Sequence, residues 1–124
     1  MKIPKVHQAV MPYLMVRGAK EFIEFTKTVF DAEEIIEMQH VRDDGSIMHA
    51  EVGIDGSTIM FSEASQQWPE QTANLFIYVD NADQTFQKAI DCGAKTVMEL
   101  SNQNYGRTCG VKDPFGNVWW ITSL

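Results

Sequence analysis

The sequence predicts an α+β fold in which two βαβββ modules form a curved, half-barrel mixed sheet around a cleft. Three observations predict it. Short runs alternate apolar and polar residues, two segments carry apolar residues at helical spacing, and the whole order recurs about sixty residues further on.

Met11 to Val16 is a short apolar run and is expected as the opening strand. From Ala19 to Phe30, the residues Ala19, Phe22, Ile23, Thr26, Val29 and Phe30 fall on one helical face, with Lys20, Glu21, Glu24 and Lys27 away from it. Glu34 to Val41 alternates as a strand. Asp43-Asp44-Gly45-Ser46 is a turn, because Asp and Gly tolerate the left-handed conformation. Ile47 to Ile54 and Thr58 to Ala64 are the next strands, joined by a turn at Asp55-Gly56-Ser57. The order then repeats: a strand from Asn74 to Val79, and a helix capped by Asn81 with Gln84 three residues on. That helix stops at Gly93. Lys95 to Leu100 is a strand and Ser101 to Gly106 a loop. Arg107 to Lys112 and Val118 to Thr122 close the module around the tight turn Asp113-Pro114-Phe115-Gly116-Asn117.

The 124 residues are read as one domain, with module one at about 8–64, a polar linker at 65–73 and module two at about 74–124. Apolar residues make up 44% of the chain, enough for a core without covalent staples. The net charge of −7, from ten Lys plus Arg against seventeen Asp plus Glu, argues against nucleic acid and against anionic membrane surfaces. No apolar run reaches eighteen residues, and Met1 to His7 has no apolar signal core, so a cytoplasmic protein is expected. Cys92 and Cys109 fit a reducing compartment and form no CxxC pair.

Strand side chains alternate, so the face turned away from the helices can be read off. Leu14 and Val16, Ile59 and Phe61, Leu75 and Ile77, and Trp119 and Ile121 suit the helix side, as do Met48, Ala50, Val52 and Ile54. The other face then carries Met11, Tyr13, Met15, His49, Glu51, Thr58, Met60, Ser62, Asn74, Phe76, Tyr78, Val118, Trp120 and Thr122. Methionine, aromatic and hydroxyl groups with one His and one Glu suit a ligand cleft better than an open, water-facing surface. Its bland counterpart is a face that packs on another subunit.

Asp113-Pro114-Phe115-Gly116-Asn117-Val118-Trp119-Trp120 resembles the turn and strand that close glyoxalase/bleomycin-resistance (vicinal oxygen chelate) domains. Met11-Pro12-Tyr13-Leu14, Phe22-Ile23-Glu24-Phe25, Phe30-Asp31-Ala32-Glu33, Met48-His49-Ala50-Glu51 and Met60-Phe61-Ser62-Glu63 resemble the PhnB-like branch of that superfamily. The resemblance runs from Met11 to Thr122. It implies the half-barrel fold and, in the family's enzymes, one divalent ion held by His, Glu or Gln from the first and last strand of each module. Those four places fall on Met11, Met60, Asn74 and Trp120. Thioethers suit soft copper and an indole only donates, so no metal and no cofactor are expected, and no catalytic residue is assigned.

His49 and Glu51 share a strand face. They are candidates for ligand contact, for a base, or for part of a relocated metal site. Arg107 can grip a carboxylate with both arms or form a surface ion pair. Cys109 beside it is weighed as a nucleophile without a partner His. Trp68 in the linker is a lid or a packing contact. His7 and His40 are taken as surface or edge residues. The resemblance implies a small-molecule-binding protein without the family's metal, in a homodimer, with Tyr13, His49, Glu51, Met60, Tyr78, Arg107 and Trp120 lining the cleft. The alternatives are a metal-dependent lyase, isomerase or dioxygenase, and a protein-interaction module using the apolar cleft face.

Overall fold

Two sheets repeat one topology, in which the first strand of a module lies parallel beside the last and the two middle strands complete the ladder. The structure, a computed structural model, describes residues 1–124, which divide into two units, Met1–Gln71 and Thr72–Leu124. No helix is long and apolar enough to cross a membrane.

In the first unit β1 (Tyr13–Val16), α1 (Ala19–Phe30), β2 (Glu33–Glu34), β3 (His40–Val41), β4 (Ile47–Ile54) and β5 (Ser57–Glu63) follow in chain order. The sheet runs β1-β5-β4-β2, with β3 also on β4. The predicted face of α1 is buried, and Phe25 joins it. Phe22 meets Phe61 of β5 edge to face at 4.9 Å, so truncating either ring to Ala should cost about 3–5 kcal/mol. The helix starts where it does because the Glu63 carboxylate, on the last strand, accepts from the backbone N–H groups of Gly18 and Ala19 at 2.9–3.2 Å.

Three expectations for this unit are corrected. Glu34 to Val41 is not one strand. A single 3₁₀ turn, Ile36–Met38, interrupts it, because Met38 and Gln39 donate back to the carbonyls of Ile35 and Ile36 instead of to a neighbouring strand. Met48 does not share the buried face of Ala50, Val52 and Ile54. Against β3 the register slips, with Ile47 and His49 on β4 facing the adjacent residues Val41 and His40. Such a bulge resets the alternation: Ile47 is buried and Met48 exposed. Thr58 is buried rather than open to a cleft. The N-terminal segment covers Thr58, whose hydroxyl donates to the Val6 carbonyl and whose N–H donates to the Gln8 side chain.

In the second unit β6 (Asn74–Tyr78), α2 (Ala82–Asp91), β7 (Lys95–Gln103), β8 (Gly106–Lys112) and β9 (Val118–Ser123) give a sheet of order β6-β9-β8-β7. Asn81 caps α2 as predicted, accepting from the Gln84 N–H at 3.0 Å. The expected loop Ser101 to Gly106 is mostly strand. Ser101, Asn102 and Gln103 pair with Thr108, Arg107 and Gly106, and only Asn104 and Tyr105 turn. Two register shifts, between Thr96 and Met98 and between Met98 and Ser101, hide this strand from a period-two reading.

The closing turn is built around Asp113. Its Oδ1 accepts from the backbone N–H groups of Phe115 and Asn117 at 2.9 Å, and its Oδ2 from Asn117 Nδ2 at 3.1 Å and Trp119 Nε1 at 2.8 Å. Burial pushes its carboxyl above the usual range, and the donors from Trp119, Asn117 and Phe115 work against that push.

Candidate functional site

Alternation and register together bring three polar side chains to one face of the first sheet. Tyr13 on β1 lies opposite Met60 on β5, and Met60 lies opposite Glu51 on β4. His49 stands two residues before Glu51 and so on the same face. The Tyr13 hydroxyl is 2.9 Å from His49 Nδ1, and His49 Nε2 is 2.7 Å from Glu51 Oε2. The second oxygen, Oε1, is 2.6 Å from Nε2 of His7.

Glu51 is 1% exposed, so its charge would be costly without partners. Two imidazoles supply them, and no buried side-chain nitrogen or oxygen in the chain lacks a hydrogen bond. His7, taken from sequence as a surface residue, is instead part of this group, with only 12% of its side chain exposed. Its segment is held against the β4–β5 hairpin by Gln8, which donates to the Gly56 carbonyl and accepts from the Thr58 N–H. No periodic pattern marks residues 1–10. The only clue was negative: a buried glutamate needs more donors than one histidine provides.

The tyrosine end of this chain reaches a hollow of about 490 Å³ within the first unit. Its walls include Met15, Met48 and Trp68 as apolar surface, and Tyr13, Arg42 and Ser62 as polar groups. That mixture is typical of small-molecule sites. Trp68 comes from the predicted linker. The end of that segment is tied down by a reciprocal pair of backbone hydrogen bonds between Gln71 and Met15, at 2.9 and 3.0 Å. Arg42, not singled out from sequence, is oriented by Ser46 Oγ at 3.1 Å and the Glu63 carbonyl at 2.9 Å. Burial and then the Glu51 charge hold the Tyr13 phenol above its ordinary range. No group of three or more His, Cys, Asp or Glu side chains is arranged to hold a metal ion.

Of the seven predicted site residues, Tyr13, His49, Glu51 and Met60 therefore fall together in the first unit, with Met60 between Tyr13 and Glu51 in the sheet. The other three lie in the second unit. Tyr78 is exposed and stacks edge to face on Phe76 at 5.1 Å. Trp120 lies over Gly110 and donates to the Asn74 side chain at 3.1 Å. Arg107 has its fork on the Asp83 carboxylate, at 2.7 and 3.1 Å. That hydrogen bond raises the guanidinium further and holds Asp83 below the usual carboxylate range. Cys109 is fully buried, and burial pushes its thiol up to about 11, which opposes a nucleophilic role.

Residues 5–121 match the Glyoxalase/Bleomycin resistance protein/Dioxygenase superfamily. An uncharacterised protein of Mycobacterium bovis is 32% identical over 126 aligned positions, covering 92% of this chain and 82% of its own length. Among solved structures, the PhnB protein of Bacillus cereus superposes with a TM-score of 0.73 at 18% identity, covering 94% of this chain and all of its own. TnmS3, an antibiotic binding protein from Streptomyces, superposes with a TM-score of 0.69 at 16% identity, covering 94% of this chain and 98% of its own.

Proposed function

The chain belongs to the Glyoxalase/Bleomycin resistance protein/Dioxygenase superfamily, and from that premise we propose that it binds a small aromatic or amphipathic molecule without the metal used by the family's enzymes. The hollow in the first unit carries this reading. Trp68, Met15 and Met48 offer flat and adaptable apolar contact, while Tyr13, Arg42 and Ser62 offer a few directed polar groups. A relative of similar fold is an antibiotic binding protein, which is the same class of task.

The donor set supports the metal-free part. The positions that correspond to the family's ligands are Met11 and Met60 in the first unit, and Asn74 and Trp120 in the second. Thioethers are poor ligands for hard or borderline divalent ions, the Asn74 amide oxygen already accepts from the Trp120 indole, and indole has no lone pair to give. These residues do not fit the family's ion. A cytoplasmic, homodimeric state belongs to the same proposal. The two cysteines, both free, suit a reducing compartment, and the exposed Phe76 and Tyr78 offer apolar surface to a second copy.

The test is binding with and without metal. A panel of planar aromatic amphiphiles should quench tryptophan emission saturably and raise the melting temperature. Trp68→Phe should remove most of the quenching, and binding should be unchanged after chelation. A ligand at about a hundred times its Kd should add roughly 2.7 kcal/mol of stability. One tightly held divalent ion per chain, whose removal abolishes binding, would overturn the proposal.

A further inference from the structure

Glu51 as a carboxylate can only accept hydrogen bonds, so each neighbouring imidazole must turn an N–H toward it. For neutral His49 this puts the proton on Nε2 and leaves a lone pair on Nδ1. The group 2.9 Å from that lone pair is the Tyr13 hydroxyl, which therefore donates to it. The chain then reads in one direction: phenol to imidazole to buried carboxylate, with His7 bonded to the far carboxylate oxygen. A hydroxyl held by an imidazole that is oriented by a buried carboxylate is the arrangement that makes a weakly acidic oxygen useful for proton transfer.

The geometry points to Tyr13 as a metal-independent acid–base group acting on the molecule bound in the hollow, with His49, Glu51 and His7 as its positioning residues. This inference rests on the hollow being a small-molecule site. Tyr13 is the one residue that belongs both to the wall of the hollow and to the hydrogen-bonded chain. Tyr13 is half exposed at the wall, while Glu51 at the other end is sealed from water. A phenol held above its ordinary range does not ionise unaided, which is why the imidazole at its hydroxyl matters. In the step, a weakly acidic C–H or O–H of the ligand gives its proton to the Tyr13 oxygen as the Tyr13 proton moves to His49 Nδ1. The electron pair stays on the ligand, and Glu51 stabilises the imidazolium. Reversal returns both protons, so no oxidant, reductant or co-reactant is consumed.

Arg42 completes the chemistry. Ser46 and the Glu63 carbonyl hold two of its nitrogens, and its remaining N–H groups can meet negative charge developing on the ligand. Trp68 and the two methionines on the wall favour an aromatic body. The substrate class is therefore a small aromatic molecule bearing a carbon or oxygen acid, with an atom that becomes anionic as the proton leaves.

The probe is 5-nitrobenzisoxazole with the full chain. A base removes its ring C–H, the C–H electrons form the nitrile, the N–O bond breaks, and a coloured nitrophenolate is released. Saturable turnover above buffer is expected. Tyr13→Phe should lower kcat by about 10²-fold with little change in KM, because general acid–base catalysis contributes on that scale. His49→Gln and Glu51→Gln should also lower kcat at unchanged KM, a split that general loosening of the fold would not give. If the Glu51 variant fails to fold, the half-exposed Tyr13 variant still carries the test. Saturable quenching of Trp68 with turnover indifferent to Tyr13→Phe overturns the relay and leaves the binding site standing. Absence of quenching and of saturation overturns the binding of small aromatics in the hollow, and the relay with it.

Discussion

Each half of the molecule buries one carboxylate, and the two are solvated by opposite kinds of donor. Asp113 in the second unit meets two backbone N–H groups, an amide and an indole. None of these titrates or changes tautomer. Glu51 in the first unit meets two imidazoles, which do both, and one of them leads out to a phenol. Fixed donors make a knot that holds a turn. Titratable donors make a path along which a proton can move. The repeated topology is the same, so the difference lies in the side chains placed on it.

The largest expected effect breaks this comparison directly. Asp113→Asn puts an NH₂ against other N–H groups: if Oδ1 keeps its two backbone donors, the new amide faces Trp119 Nε1 and Asn117 Nδ2. Asn117 cannot flip freely, because its Oδ1 accepts from the Ala73 N–H. Leaving such donors buried and unmatched should cost roughly 2–4 kcal/mol. Glu51→Gln is the gentler change. The new amide can accept from one imidazole and donate to the other once that ring shifts its proton, so the cost should stay near 1 kcal/mol. Urea unfolding of both variants checks the order. Equal losses would mean that the imidazoles around Glu51 are as fixed as the donors around Asp113.

The next effect concerns how each unit fills its open face. In the second unit Trp120 lies so close over Gly110 that an added Cβ would sit 2.5 and 2.8 Å from its ring carbons. The ring is rigid and also tied to Asn74, so Gly110→Ala should cost about 1–3 kcal/mol and shift Trp120 emission. In the first unit the corresponding register position on the last strand is Met60, which pairs with Tyr13 on one side and Glu51 on the other. A silent Gly110→Ala would mean that the Trp120 face has room to adapt.

These contrasts also mark what was legible in the sequence. The helix Ala19–Phe30, strand β4 and the capped start of α2 were readable because period and capping chemistry are local. The shared face of His49 and Glu51 followed from period two alone. Met48 was misplaced because a bulge is a register event between strands, with no trace in its own strand. The first strand-like run after α1 was overread for a related reason: Ile35 and Ile36 look alike in sequence, yet one is buried and the next exposed on a 3₁₀ turn. His7 was missed because it reaches Glu51 across 44 residues from a segment with no pattern. Arg42 and Trp68 enter the hollow from a turn and a linker, where side-chain direction depends on tertiary contacts.

A smaller effect sharpens the titratable side of the comparison. The Tyr13 phenol is held above its ordinary value of 10, so above that pH the folded chain keeps a proton that the unfolded chain has lost. The native state then binds more protons, and stability falls as pH rises from about 10 toward the folded value. Tyr13→Phe removes this contribution, so it should flatten that part of the alkaline stability curve. An ultraviolet titration should show the phenol lost in the variant to be one that ionises above the ordinary range. A missing phenol that titrates at the ordinary value would mean that neither burial nor Glu51 acts on it.

The smallest effect should come from Arg107, the charged group that looked most like a ligand clamp in the sequence. Its fork is spent on Asp83, and both partners sit at the surface, where solvent screens their attraction. Arg107→Ala should therefore leave the unfolding midpoint unchanged within error, in contrast to the buried carboxylates. It should also leave aromatic binding in the first unit unchanged, because that hollow has its own cation in Arg42. An anionic aromatic separates the two sites: Arg42→Gln should weaken its binding and Arg107→Ala should not. The reverse order would transfer ligand recognition from the first unit to the second, where sequence reasoning had placed three of the seven site residues.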